Sequence, residues 1–322
     1  VSSPRSSSLL AWPAAKPSRA GRPAATPANR ARFRRKLKEN VTAYGLLCAA
    51  LVVFALFSWY PIVRGVLLSF QQVDFVNAPA WVGFGNFAKL FDDPLFGVAW
   101  RNTLLFTGLA LVFGFAVPFL TAVLLNELRH AKAFFRLAVY LPVMLPPVVT
   151  ALMWKWFYDP GPGLFNSALG AVGLPGGQWL DSSTTAMLSL VFVSTWANMG
   201  STTLIYLAAL GTIPGELYEA AELDGAGTWK RLRHVTFPQT RFVLLVLLLL
   251  QVVATMQVFT EPYVMTGGGP DDSTVTVLLL LYRYAFVYND FGAASAMSLL
   301  LFVALGVFSA WYVRLTRKAD QS

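Results

Sequence analysis

The chain has 322 residues, of which 56% are apolar and only 13% charged, whereas a soluble domain carries roughly 25% charged residues. Halving the charge leaves too little polar surface to cover a globule. That excludes an ordinary cytosolic enzyme or a nucleic-acid-binding domain despite a net charge of +9, and the excess apolar side chains require a bilayer. One cysteine, Cys48, excludes an internal disulfide or a CxxC motif. His130 and His234 lie far apart in basic stretches, so no metal site is expected.

Residues 1–40 are a block of Pro, Ala, Ser and Arg holding ten of the 25 basic residues. Such a block buries too little surface to offset its ordering entropy, and a disordered basic cytoplasmic tail is predicted. A basic tail abutting a hydrophobic span sets topology rather than binding nucleic acid. Residues 41–318 are predicted as an all-α domain of six transmembrane helices. The apolar segments run approximately 42–63, 103–126, 133–157, 184–211, 241–262 and 290–313, each long enough for a hydrocarbon core of about 30 Å. The third contains Pro142, Pro146 and Pro147, which remove backbone donors and predict a kink.

Basic residues orient the spans. With the N-terminus inside, the tail holds ten of them, loop 127–136 three, loop 212–241 four and the C-terminal end three, leaving five outside or at the outer edge. Both termini are therefore predicted to be cytoplasmic. Trp59–Tyr60, Trp154–Trp156–Tyr158 and Trp311–Tyr312 fit interfacial anchors.

Loop 212–241 is long for a connection between bundle helices, which usually takes about 2–8 residues. Pro214 suits a helix start, Glu216, Glu219 and Glu222 recur every three residues, and Gly225 and Gly227 stop that helix. A basic piece from Thr228 to His234 follows, ended by Pro238. Ala220 and Ala221 permit close approach of another chain. Patterning alone leaves two readings open: docking into a groove of a partner, or rest on the membrane surface.

Glu219-Ala220-Ala221, Asp224-Gly225-Ala226 and Pro238 resemble the EAA loop of binding-protein-dependent ABC importer permeases. The resemblance implies coupling helices that dock on a cytoplasmic ATPase, with Gly225 as the turn between them. Thr266-Gly267-Gly268-Gly269-Pro270 with Tyr282 and Gly292–Ala296, together with Val82–Phe87 and Asn102-Thr103, resemble the MalF-type sugar permeases. These matches cover roughly residues 45–315 and imply the shorter six-helix form. They also imply a heterodimer with a second, MalG-like permease, a cytoplasmic ABC ATPase dimer that uses ATP, and an extracellular solute-binding protein. The chain itself would bind no cofactor and perform no covalent chemistry.

The glycine-rich stretches lack the G-x-x-x-x-G-K-S/T spacing of a phosphate loop. Asp92-Asp93 and Asp271-Asp272 sit beside Pro94 and Pro270 and read as turn residues rather than metal ligands. Polar side chains within the spans are the better functional candidates. Ser194, Asn198, Ser201 and Thr202 fall on one helical face; Gln251 and Thr255 share another, with Gln257 and Glu261 on a third. A solute path of Trp196, Asn198, Ser201, Thr202, Gln251, Thr255, Gln257 and Phe259 is predicted, set against ordinary interhelical hydrogen bonding. Two rival functions remain: a permease for another solute such as glycerol phosphate, and a membrane-embedded enzyme or ATPase-independent secondary transporter.

Overall fold

Pro27 to Phe54 form the first helix, α1, in a computed structural model that describes residues 27–74, 77–128 and 130–319. The first 26 residues of the predicted disordered tail lie outside the described residues. From Pro27 onward the described backbone is helical. The reason is local: Pro27 suits a first helical turn, and the Ala, Arg, Leu and Lys that follow are strong helix formers with no further proline until Pro61. The chain divides into two compact units at 61/62, inside helix α2 (Tyr60–Leu68).

In the second unit, a two-stranded antiparallel ribbon pairs β1 (Gln71–Gln72) with β2 (Ala80–Trp81), Gln71 opposite Trp81. The buried Asn86 amide, on helix α3 (Gly85–Asp92), bonds to the carbonyls of Ser69 and Gln71 at 2.9 Å and fixes the ribbon. Helix α4 (Pro94–Glu127) begins nine residues before the predicted second span. Asp93 caps it by accepting from the Leu95 N–H at 2.8 Å, and Pro94 occupies the first turn, where no donor is lost.

Helix α4 is the spine of this unit and packs along α8 (Ala186–Leu210). It feeds three successive apolar clusters. Ala99 meets Leu90, Val277, Leu280 and Met297; Phe106 and Ala110 meet Trp154, Leu190 and Val258; Phe119, Ala122 and Leu125 meet Tyr206, Leu207 and Leu244. Asn102 donates to the carbonyls of Asp272 and Val275, at 2.8 and 3.0 Å, and Thr103 accepts from the Val277 N–H at 2.9 Å. Those bonds tie α4 to helix α12 (Val277–Tyr282) and the glycine-rich loop before it.

The predicted kink is a sharp break. Helix α5 (Lys132–Tyr140) runs through a 3-10 turn, Leu141–Met144, and meets helix α6 (Pro147–Phe157) at 99°. Consecutive Pro146 and Pro147 cannot supply donors to a continuing helix. Gly200 of α8 crosses this segment so closely that a Cβ there would lie 2.6 Å from the Val139 carbonyl oxygen. After α6, the short helix α7 (Leu164–Ala171) leads into α8.

Beyond α8 come helices α9 (Gly215–Leu223), α10 (Thr228–Arg231), α11 (Phe237–Thr255), then α12 and α13 (Phe291–Ala319). Among the described residues four helical runs are long and apolar enough to cross a bilayer: Ala43–Leu68, Pro94–Glu127, Thr228–Thr255 and Phe291–Thr316. Counting the bent α5–α6 pair gives five, against the six predicted. Helix α8 has the length for a span, 25 residues or about 37 Å. Its run from Ser194 to Thr203 is too polar for a lipid-facing helix.

Candidate functional site: a polar cavity and a helical elbow

The polar run of α8 lines an open cavity, with Asn198 and Ser201 exposed. Ser194, Asn198, Ser201 and Thr202 line a cavity of about 490 Å³ between α4, α8 and α11. From α4 come Phe106, Ala110 and Gly114; from α11 come Leu247, Gln251 and Thr255. Gln251 holds α4 and α11 together, its amide donating to the Ala110 carbonyl at 2.6 Å. Gly114 makes room for it: a Cβ at that position would sit 2.5 Å from the Gln251 Nε2. Thr255 bonds back to the Gln251 carbonyl at 2.8 Å, Asn198 to the Ser194 carbonyl at 2.8 Å and Gln257 to the Val253 carbonyl at 2.9 Å.

Seven of the eight predicted path residues line this cavity: Asn198, Ser201, Thr202, Gln251, Thr255, Gln257 and Phe259. Trp196 does not. It points to the other side of α8, edge-on to Trp154 at 5.3 Å, and packs with the cluster around Phe106. Its position in the helical repeat, two residues from Ser194 and from Asn198, already sets it off their face.

The fifth span was predicted to run to residue 262, which put Gln257 and Glu261 on a different face from Gln251. Instead α11 ends at Thr255 and the chain turns, so that five consecutive residues, Gln257 to Glu261, line the cavity. No single helix could present such a run. Thr260 and Glu261 thereby join the wall. Behind them a smaller cavity of about 230 Å³ reaches the α5–α6 break and shares Asn198, Thr260 and Glu261 with the larger one.

The other candidate site is the elbow between α9 and α10. Gly225 has φ +70°, a left-handed conformation that favours glycine, with open space around it. The Ala226 N–H bonds to the Ala221 carbonyl and the Gly225 N–H to the Glu222 carbonyl, both at 2.9 Å. This pair is a Schellman motif, which satisfies the last carbonyls of α9. Glu222 and Arg231 form an ion pair across the elbow. The Tyr218 hydroxyl meets that of Thr236 at 3.0 Å and anchors α9 to the bundle.

Ala220, Ala221, Asp224 and Ala226 line a groove with Lys230 and His234. Glu219 is exposed outside that groove, while Leu223 and Trp229 are 90% and 72% exposed. Pro238 does not end a helix. Helical backbone runs from Thr228 to Thr255, with a π-helical turn at Leu232–Thr236 directly before the proline. The wider turn accommodates a residue that has no N–H to give.

Long apolar helices around a cavity with polar side chains from α8 and α11 are the architecture of a membrane permease. Residues 114–321 match the family described as "Binding-protein-dependent transport system inner membrane component". The chain is 38% identical over 273 residues, 83% of its length and 92% of the relative's, to the "Probable ABC transporter permease protein YurN" of Bacillus subtilis. It is 30% identical over 283 residues, 88% of its length and 96% of the relative's, to the "Trehalose/maltose transport system permease protein MalF" of Thermococcus litoralis. A solved bacterial ABC transporter that imports the acidic polysaccharide alginate contains a similar chain, with TM-score 0.78 and 26% identity over 89% of this chain and 99% of that one. The chain thus belongs to the binding-protein-dependent inner-membrane components. It is a multi-pass inner-membrane permease of an ABC importer, a family in which a partner ATPase uses the ATP.

Proposed function

We propose that the chain forms half of the translocation path of a sugar importer, crosses the membrane six times and keeps both termini in the cytoplasm. In this reading α8 and the bent α5–α6 pair are the crossings that hydropathy alone under-counts. The second half of the path is a MalG-like permease, and an extracellular binding protein delivers the solute.

The observation that carries the sugar reading is the cavity wall. It offers the amides of Asn198 and Gln257, the hydroxyls of Ser201, Thr202 and Thr255, and the Phe259 ring. Neutral hydrogen-bonding groups beside an aromatic face suit a polyhydroxylated ring. Among the described residues lining the cavity there is no Lys, Arg or His, and the single ionisable group is the Glu261 carboxyl. A glycerol phosphate would meet no cation there. The trehalose and maltose specificity of one relative supports the same solute class.

The elbow is the coupling element. Gly225 sets its angle, Ala220, Ala221, Asp224 and Ala226 shape the groove, and Glu219 offers an exposed charge to the ATPase. Pro238 marks where the elbow passes into α11. Exposed Leu223 and Trp229 are the apolar contacts that such a partner would cover. A photo-crosslinking residue at position 223 tests this in whole cells. Capture of an ABC ATPase subunit is expected, and capture of phospholipid alone would overturn the coupling role.

A further inference from the structure

An aromatic cluster adjoins the cavity at the end remote from the elbow. Helix α11 separates the two ends by 19 residues, about 28 Å. Phe259, which lines the cavity, stacks on Tyr263 with ring centres 5.0 Å apart and planes 13° from parallel. Tyr282 packs against both of them, 4.9 Å from Tyr263 and 5.3 Å from Phe259, so the three rings form a closed triad, and Phe286 extends it at 5.2 Å from Tyr282. The outer members face away from the bundle: Tyr263 is 43% exposed and Phe286 65%.

Other contacts hold the two backbone segments that carry these rings. The Thr276 hydroxyl donates to the Val258 carbonyl at 3.0 Å, and Arg283 donates to the Gly267 carbonyl at 2.8 Å. The exposed parts of Tyr263 and Phe286 are therefore not needed to close the fold. Interfacial anchoring explains them poorly, because anchors present a polar tip to the headgroups. Here the Tyr263 and Tyr282 hydroxyls lie 3.2 Å from each other, and Phe286, the most exposed ring of the cluster, has no polar tip.

Resting on the sugar reading above, we propose that Tyr263, Tyr282 and Phe286 form an outer subsite on which the pyranose rings of an oligosaccharide stack before passing Phe259 into the cavity. Aromatic faces carry negative quadrupole charge, and the axial C–H groups on one face of a pyranose present the complementary positive edge. Phe259 belongs both to this cluster and to the cavity wall, which makes the two continuous.

The test uses the full chain in lipid nanodiscs and saturation-transfer difference NMR with maltotriose, chitobiose and arabinotriose. Wild type is expected to saturate the ring C–H protons of at least one of them. F286A and Y263A should each reduce that transfer about threefold, and F286Y, which keeps the ring, should restore it. Phe286 is exposed enough that its removal opens no core void, so unchanged thermal unfolding of F286A separates lost stacking from misfolding. Transfer equal to wild type in both alanine variants overturns the subsite and leaves the sugar reading standing. So does absence of transfer with all three sugars in a chain whose uptake complex still couples to its ATPase. A cysteine at 286 that becomes shielded from maleimide on co-expression of a second permease would also overturn it, by assigning the rings to a subunit interface.

Discussion

The elbow at 212–241 and the cavity between α4, α8 and α11 are held by opposite means. The turn of the elbow is closed by bonds no longer than Ala226 to Ala221, and its largest apolar side chains, Leu223 and Trp229, are left in the open. The cavity is closed by bonds such as Gln251 to Ala110, 141 positions apart, and by the close crossing at Gly200. A helical elbow can be specified by a dozen contiguous residues and its apolar side chains left uncovered. A path through a bundle requires distant helices to approach and to surrender the groups that would otherwise face lipid.

The largest expected effect strikes the elbow. Gly225→Val places a β-branched residue in a left-handed conformation, which costs roughly 1–2 kcal/mol and destroys the Schellman turn. Uptake should fall about tenfold or more while the full-length chain still appears in the membrane fraction. Gly225→Asn should retain most of the uptake, since asparagine tolerates that conformation. Equal loss in both variants would show that something other than φ matters there.

The bundle comes next. Gly200→Val drives a side chain into the Val139 carbonyl and should cost roughly 1–3 kcal/mol, read as a lower midpoint in thermal unfolding of the detergent-solubilised chain. Gln251→Ala removes a tie worth about 1 kcal/mol together with a cavity amide, and a several-fold rise in the KM for uptake is expected. Asn198→Ala should raise KM about threefold, whereas Trp196→Phe should leave KM unchanged and only soften thermal unfolding. A KM shift in the tryptophan variant would contradict the orientation of α8. The smallest effect belongs to Glu222→Gln, which breaks an exposed ion pair worth under about 1 kcal/mol and should barely alter uptake.

The contrast between the two regions also governs what could be read from the amino acids alone. The α9 stop at Gly225 was legible because a helix end and a left-handed glycine are local events. The α8 face was legible because a 3.6-residue period places Ser194, Asn198, Ser201 and Thr202 together without knowledge of any other helix. Periodicity failed at Thr255, where the helix stops without a proline or glycine to announce it, so the contiguous wall from Gln257 to Glu261 was invisible. Hydropathy failed in the opposite sense at α8, since the residues that make the cavity lower the apolar score of the helix that carries them. Pro146 and Pro147 announced a disruption, but its 99° angle follows from tertiary packing against Gly200.

Helical backbone is unbroken from Thr228 to Thr255, 28 residues and about 42 Å. Trp229, at one end, and Gln251 and Thr255, near the other, are thus mounted on a single strut. Between the tryptophan end and the cavity residues, the π-helical turn at Leu232–Thr236 is the one irregular stretch of the run. Tilting that strut moves the hydrogen bond between Gln251 and Ala110 in the same stroke, and with it the seam between α11 and α4.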